Sequence, residues 1–225
     1  MKLIDLTHAL NETIPAWDLG CGFQKILNSD YKDCVGDVKF RNQRLSCFAG
    51  IGTHMDAPSH CIPGGLSIAD IPLEKLIQPC IVIDVSQKAN EHYCVSVDDI
   101  NAFEKQHGVI QKNVFVIFHT GWCQYWNEPE RYRNNLLFPS VSIEAAQLLL
   151  DRDIVGMGID TLSPDSGGKY FPVHQAILGA GRYIVENVAN ANQLPSVGAQ
   201  IIALPLKIEE GAESPIRLIA MLVST

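Results

Sequence analysis

Three short apolar runs recur in the middle of the chain, and two amphipathic helical patterns separate them. The runs cover residues 81–85, 114–118 and 155–159. Apolar runs of this length are typical of strands that are buried on both faces. One helix is predicted from Ser96 to Gly108 and another over residues 142–152, where Ser142 can cap the first turn. Strands that alternate with helices predict an α/β or α+β fold.

The flanking segments continue this pattern without a linker or an internal repeat. Further strands are predicted over residues 2–6, 40–48, 182–188, 201–206 and 216–222, with a turn at 209–214. Residues 10–39 are rich in turn-forming residues and are expected to be irregular. The glycines and prolines of residues 50–65 predict an ordered loop rather than a regular element. We therefore expect a single domain that spans residues 1–225.

Charge and hydropathy argue against several classes of partner. The chain has 17 Lys and Arg against 25 Asp and Glu, a formal net charge of −8, and no basic cluster. Nucleic acids and anionic membrane surfaces both require concentrated positive charge, so neither is an expected partner. No segment reaches the ~18–20 apolar residues that span a bilayer, and the first residues lack the apolar run of a signal peptide. Seven scattered cysteines without a CxxC pair predict reduced, mostly buried thiols, and hence a soluble cytoplasmic protein.

One glycine-rich segment carries an unusual density of metal-binding side chains. His54 and Asp56 are two residues apart, which places both side chains on one face of an extended backbone. His60 follows four residues after Asp56, beyond Pro58, which stiffens the loop. Imidazole and carboxylate ligands together suit zinc, manganese or iron. The alternative is that these are polar loop residues bonded to the backbone.

A second candidate pair lies more than a hundred residues further on. Pro172 opens a short helix that carries His174, and Glu186 lies in the following strand-like segment. On one straight helix, twelve residues would separate the pair by ~18 Å. Gly179 and Gly181 allow the chain to reverse, so the two side chains can converge. The alternatives are that Glu186 is an exposed strand carboxylate and that His174 is a histidine on the helix surface.

The run Gly-Thr-His54-Met-Asp56-Ala-Pro-Ser-His60 resembles the signature of the cyclase family of metal-dependent hydrolases, which includes bacterial kynurenine formamidases and isatin hydrolases. The similarity continues through residues 158–161, His174, residues 186–187, residues 203–207 and residues 214–217. It thus covers nearly the whole chain. The resemblance implies a swivelling β/β/α fold with a mixed sheet, assembled as a homodimer or homotetramer.

The resemblance also implies roles for individual residues. Metal ligands of the family correspond to His54, Asp56, His174 and Glu186, and its proton donor and acceptor corresponds to His60. Trp17 matches a tryptophan that contacts substrate in the formamidases; otherwise it is a core or subunit-contact side chain.

One departure from the family pattern concerns the number of cations. The first histidine of the motif corresponds to Gly50, which has no side chain to act as a ligand. Four candidate ligands are enough for one ion. We therefore expect one divalent cation, zinc or manganese, per chain. His119, before Thr-Gly-Trp, is a second departure and could face the substrate.

The expected activity is hydrolysis of a small amide bond, such as an N-formyl amide, by metal-activated water with His60 as acid and base. Two alternatives stay open. One is a hydrolase of another cyclic amide, lactone or ester. The other is a catalytically silent ligand-binding relative, which the glycine at position 50 favours.

Overall fold

The computed structural model describes residues 1–222, in which twelve strands and five α-helices follow one another. The strands are β1 (Lys2–Asp5), β2 (Phe23–Ser29), β3 (Asn42–Cys47), β4 (His54–Asp56), β5 (Ile77–Asp84), β6 (Cys94–Val95), β7 (Phe115–His119), β8 (Ser140–Val141), β9 (Gly156–Ile159), β10 (Tyr183–Glu186), β11 (Ala199–Pro205) and β12 (Glu213–Leu222). The helices are α1 (Leu73–Leu76), α2 (Val97–His107), α3 (Pro129–Arg133), α4 (Ile143–Asp151) and α5 (Pro172–Gly179).

The main sheet closes on itself. Its strand order is β1-β12-β11-β5-β7-β9-β10-β4, and β12 also pairs with β4, so that all strands except β1 form a barrel-like ring. The pairs β5–β7, β7–β9 and β9–β10 are parallel, whereas the pairs that involve β4, β11 and β12 are antiparallel. The predicted single α/β domain with a mixed sheet is confirmed. Its assignment to the swivelling β/β/α type stays a prediction.

Both faces of the central strands are buried, which explains their continuous apolar sequences. Along β7, Phe115 and Ile117 belong to the cluster inside the ring. Val116 and Phe118 point the other way, into a second cluster with side chains of α2, α4 and α5. The helices begin where the sequence predicts: Asp99 accepts a hydrogen bond from the Ser96 backbone, and Ser142 Oγ accepts one from Ala145 N at 3.1 Å.

Three segments are more regular than the sequence indicates. The predicted irregular stretch 10–39 contains β2, which pairs with β3 in a separate two-stranded ribbon. Most side chains of this ribbon are exposed, so no apolar alternation marks β2 in the sequence. The predicted loop 50–65 contains the buried strand β4, and β12 begins within the predicted turn, at Glu213.

All seven cysteines are free thiols, as predicted, but only Cys80 is buried, which makes the expectation of mostly buried thiols wrong. Within residues 1–222, every helix is too short or too polar to cross a lipid bilayer.

Candidate metal centre

The two candidate segments meet because β4 lies between β10 and β12. His54 of β4 pairs with Glu186 of β10, and Asp56 pairs with Glu213 of β12. Residues directly opposite in an antiparallel pair present their side chains on the same face, so all four side chains emerge together. His174, in the first turn of α5, approaches the same place.

Histidine nitrogens and carboxylate oxygens alternate around a small buried space. His54 Nε2 lies 3.4 Å from Asp56 Oδ1 and 3.3 Å from Glu186 Oε2. His174 Nε2 lies 3.5 Å from Asp56 Oδ2 and 3.2 Å from Glu186 Oε1. The four residues are between 1% and 6% exposed. The structure thus brings the four predicted ligands together.

Three of these four separations, at 3.3 to 3.5 Å, suit a cation better than direct hydrogen bonds. Good N–H···O bonds are about 2.7–3.2 Å long, whereas ligands that surround one ion at about 2.1 Å lie about 3.4 Å apart in a tetrahedron. Both Asp56 oxygens and Glu186 Oε1 are buried without a hydrogen-bond partner. Buried carboxylate oxygens without donors are costly, and a bound cation would satisfy them. Donor atoms of His54, Asp56 and Glu186 lie within 4.8 Å of one another, and His174 borders this group, so these residues fit a divalent metal ion.

Each histidine is oriented by a hydrogen bond through its other ring nitrogen. His54 Nδ1 donates to Gly52 O at 2.9 Å, and His174 Nδ1 donates to Asp165 Oδ2 at 2.7 Å. Both Nε2 atoms are then free to act as ligands, an arrangement common at metal sites. Asp165 also accepts hydrogen bonds from the backbone N–H groups of Val173 and His174, at 3.1 Å each. Sequence reasoning missed Asp165, because no motif or spacing links it to His174.

The electrostatics of the cluster favour positive charge. Burial lowers the pKa of His54, but contacts with Asp56 and Glu186 outweigh it and raise the pKa well above its usual value. For His174, burial is likewise outweighed by the hydrogen bond to Asp165 and by the nearby carboxylates of Asp56 and Glu186, and the pKa is raised. Burial would raise the pKa of Asp56, but the two imidazoles hold it below its usual range. The site attracts protons as it would attract a metal ion.

The centre lies in a cleft of about 370 Å³. Trp17 and Phe171 line one wall, with their rings 5.8 Å apart. His60 also lines the cleft, with its side chain 34% exposed and Nδ1 3.5 Å from Glu213 Oε2. The predicted substrate contact and the predicted acid/base thus border the same space as the four candidate ligands.

His119 lies elsewhere. It ends β7, and its Nδ1 is 3.1 Å from Asp160 Oδ2, while Asp160 also accepts hydrogen bonds from Thr120 and Gly121. A different cleft, shared with His8 and residues of the following turn, contains His119. His119 is not among the residues that line the cleft of the metal centre.

Glu213, which lies beside Gly50, is the part of the site that the sequence did not anticipate. A side chain on residue 50 would overlap the Glu213 carboxylate and would come within 3.3 Å of His54 Nε2. Glu213 therefore occupies the space that a larger residue 50 would take. Its burial and the Asp56 charge raise the pKa of Glu213. The only sequence signal was an acidic residue in a predicted turn.

Two imidazoles and two carboxylates form a buried cluster that opens to a cleft of the closed mixed sheet. A cluster of this kind is typical of proteins that bind a divalent metal for catalysis. Comparison with known proteins agrees with this class. Residues 4–166 match the family model described as "Putative cyclase". The chain belongs to this cyclase family.

Two similar proteins and one solved structure support this family assignment. The isatin hydrolase of Roseibium aggregatum is 33% identical over 186 residues, which cover 76% of this chain and 70% of that protein. The kynurenine formamidase of Paracidovorax citrulli is 29% identical over 174 residues, 75% of this chain and 74% of that protein. Isatin hydrolase A from Ralstonia solanacearum superposes with a TM-score of 0.90 at 31% identity, over 99% of this chain and 92% of that one. The predicted family and its hydrolase class are confirmed.

Proposed function

We propose that this chain is a metal-dependent hydrolase that cleaves a small amide bond next to a planar aromatic group. The observation that carries the proposal is the set of unpaired, buried carboxylate oxygens of Asp56 and Glu186 beside the Nε2 atoms of His54 and His174. The chain can satisfy these oxygens with a cation. This four-residue set would hold one zinc or manganese ion per chain.

When bound, such a cation lowers the pKa of a coordinated water and polarises a carbonyl group. The chain's own residues supply the remaining functions. His60, partly exposed at the cleft, takes a proton from the attacking water and returns it to the leaving nitrogen.

The aromatic wall supports a planar substrate. Trp17 is held by Arg133, whose Nε donates to the Trp17 carbonyl at 2.8 Å, and by its contact with Phe171. Both rings are therefore positioned before a substrate enters, and an aryl group could pack on them. An N-formyl arylamide fits this arrangement.

A cyclic aryl amide is the second candidate substrate. Two of the relatives described above are isatin hydrolases, and one of them superposes over nearly the whole chain. Opening of a lactam uses the same residues as deformylation, because in both reactions water attacks an amide carbonyl. Lactones and esters are further candidate substrates, because water attacks their carbonyl groups in the same way.

A panel assay tests the proposal. Protein stripped with a chelator is mixed with N-formylkynurenine, isatin or simple lactones, with and without Mn²⁺ or Zn²⁺. We expect hydrolysis of at least one amide, lost in the stripped protein and restored by the cation. A protein that binds the cation but turns over no substrate would instead be the silent ligand-binding relative.

We also propose that the chain forms a homodimer or homotetramer in the cytoplasm. The ribbon β2–β3 supports assembly, because Leu27 and Leu45 are 50% and 61% exposed on it. Exposed apolar surface of this kind commonly marks contacts between proteins. The seven free cysteines support a reducing compartment.

A further inference from the structure

We propose that His119, Cys123 and Asp160 bind a further divalent cation, zinc or a metal of similar softness, at a site separate from the centre described above. None of these three residues lines the cleft of that centre. His119 and Cys123 line a different cleft, of about 500 Å³. The inference is therefore independent of the proposed function, and its cation is additional to the one held by the four-residue set.

The parallel part of the sheet brings the three residues together. Phe118 of β7 pairs with Ile159 of β9, His119 is the last residue of β7, and Asp160 directly follows β9. The two side chains thus lie at the carboxyl ends of neighbouring parallel strands, where open α/β sheets commonly bind ligands. Gly121, with a φ of 78°, begins the turn that contains Cys123.

The donor atoms differ in kind from those of the first centre. One nitrogen of His119, the sulfur of Cys123 and one oxygen of Asp160 all lie within 4.8 Å of one another. His119 and Asp160 are 6% and 0% exposed, and Cys123 is partly buried. Nitrogen, sulfur and oxygen ligands together suit zinc, whereas a thiolate ligand disfavours Mn²⁺.

Hydrogen bonds fix the Asp160 carboxylate in this position. Its Oδ1 accepts from Thr120 N at 2.9 Å and from Thr120 Oγ1 at 2.6 Å, and its Oδ2 accepts from Gly121 N at 2.9 Å. Oδ2 also lies 3.1 Å from His119 Nδ1. A cation that replaced the proton between these last two atoms would leave the bonds to Thr120 and Gly121 intact. The carboxylate is therefore oriented before a metal binds.

The state of the thiol favours a metal site over a nucleophile. Burial and the charge of Asp160 raise the pKa of Cys123 to about 12, so the thiol is protonated and a poor nucleophile in the metal-free chain. A bound cation stabilises the thiolate instead. Binding would release the thiol proton and the proton that His119 donates to Asp160, as is usual when metals bind such ligands.

His8 gives an independent indication of a ligand in this cleft. It lines the cleft with its ring stacked on Trp126, and its Nε2 atom is buried without a hydrogen-bond partner among residues 1–222. A buried nitrogen of this kind implies a missing donor. Three protein ligands leave an open position on zinc, and a water molecule bound there would supply the donor.

Titration with Co²⁺ tests the inference without an activity assay. Co²⁺ accepts the same ligands as zinc, and a thiolate bound to it produces a charge-transfer band in the near ultraviolet. We expect this band in the chelator-stripped wild type and its loss in Cys123→Ser and Cys123→Ala. Cys61→Ser is the matched control and should keep the band, since Cys61 is also partly buried and follows His60 of the first centre.

A histidine variant tests the second ligand. His119→Gln should weaken the Co²⁺ binding that this band reports more than about 10-fold, because loss of a ligand costs at least as much as loss of a residue that orients one. Circular dichroism of each variant verifies folding.

Several results would overturn the inference. They are a wild type without the band at saturating Co²⁺, a band that persists in both Cys123 variants, a band that disappears in Cys61→Ser, and an unchanged affinity in His119→Gln. Because the two sites share no residue, none of these results bears on the hydrolase proposal, which the panel assay tests separately.

Discussion

At the scale of single residues, the metal centre depends on side chains whose contacts come from distant parts of the chain. Asp56 is 1% exposed, and neither of its oxygens accepts a hydrogen bond. A carboxylate in that position is costly unless a cation or proton compensates it. The residues that position the ligands are then as important as the ligands themselves.

The role of His60 leads to the first prediction. His60→Ala should lower the turnover number about 10²–10⁴-fold, since it removes the proposed acid/base. Metal content should be nearly unchanged, because His60 is not one of the proposed ligands. Steady-state kinetics and elemental analysis measure the two effects. Turnover at the wild-type rate would disprove the role of His60.

Asp165 leads to a second prediction. Asp165→Asn weakens the hydrogen bond that fixes the His174 ring, so metal affinity should fall about 10–100-fold with little loss of fold. Asp151→Asn is the control, since Asp151 is an exposed residue at the end of α4. Calorimetric titration with Zn²⁺ measures both. Equal affinities in the two variants would show that Asp165 does not orient the ligand.

His8 provides a prediction about pH. Burial lowers the pKa of His8 to about 4, against the attraction of Asp160 and Asp5, and the ring stacks on Trp126 at 3.8 Å. Since the unfolded chain binds the proton more readily, His8 stabilises the fold fully above pH 6.5, and this contribution is lost as pH falls from 6.5 to 4. The loss is at most about 3 kcal/mol.

The test is denaturant unfolding at pH 7 and pH 4 of wild type and His8→Phe, which keeps the aromatic stacking. The variant should lose less stability on acidification than the wild type. His92→Phe, at an exposed position, should behave like the wild type. Identical pH dependence in all three proteins would contradict the burial argument.

At the scale of secondary structure, close packing between β9 and β10 sets the position of Glu186. Gly156 pairs with Tyr183, and the Tyr183 ring stacks on Phe115 at 5.5 Å. The absence of a side chain on Gly156 lets the strands approach with these rings in place. The proposed ligand Glu186 lies three residues along β10 from this contact.

A substitution at this contact should be destabilising. In Gly156→Ala the new Cβ would lie 2.7 Å from the Tyr183 carbonyl oxygen, so a strand has to shift, at a cost of about 1–3 kcal/mol. Gly179→Ala, at the end of α5, meets only Ile62 at 3.7 Å and should be neutral or slightly stabilising. Urea unfolding compares the two. A stable Gly156→Ala would mean that the β9–β10 packing is less constrained.

At the scale of the whole molecule, closure of the sheet creates the centre. The strand β4 has only three residues, yet it pairs with both β10 and β12 and so joins the two ends of the ring. Three of the four predicted ligands, and Glu213, lie on these three strands. The ribbon β2–β3 stays outside the ring and leaves Leu27 and Leu45 exposed to solvent.

This exposed ribbon leads to a prediction about assembly. Leu27 and Leu45 share one face, because Leu45 pairs with Lys25, two residues from Leu27. Leu45→Glu should shift a dimer or tetramer toward monomer, whereas Leu73→Glu, at 67% exposure on α1, should not. Light scattering after size exclusion gives the masses. A wild type that is already monomeric would refute the predicted assembly.

Short-range patterns determined much of this protein. The apolar runs of β5, β7 and β9 and the serine caps of α2 and α4 are local signals, and they predicted the elements because burial and capping act over a few residues. The motif around His54 and Asp56 is likewise a local signal, and it identified the family. Exposed β2 had no such signal and was missed.

Tertiary structure alone decided how the distant donors combine. Glu186 meets His54, and Glu213 meets Asp56, only because the closing strands place them in register, and strand register over more than a hundred residues leaves no trace in local spacing. The glycine at position 50 indicates a lost ligand when the sequence is considered by itself. In the folded chain, a carboxylate from 163 residues further along the sequence occupies the vacant space, since packing fills whatever volume a missing side chain leaves.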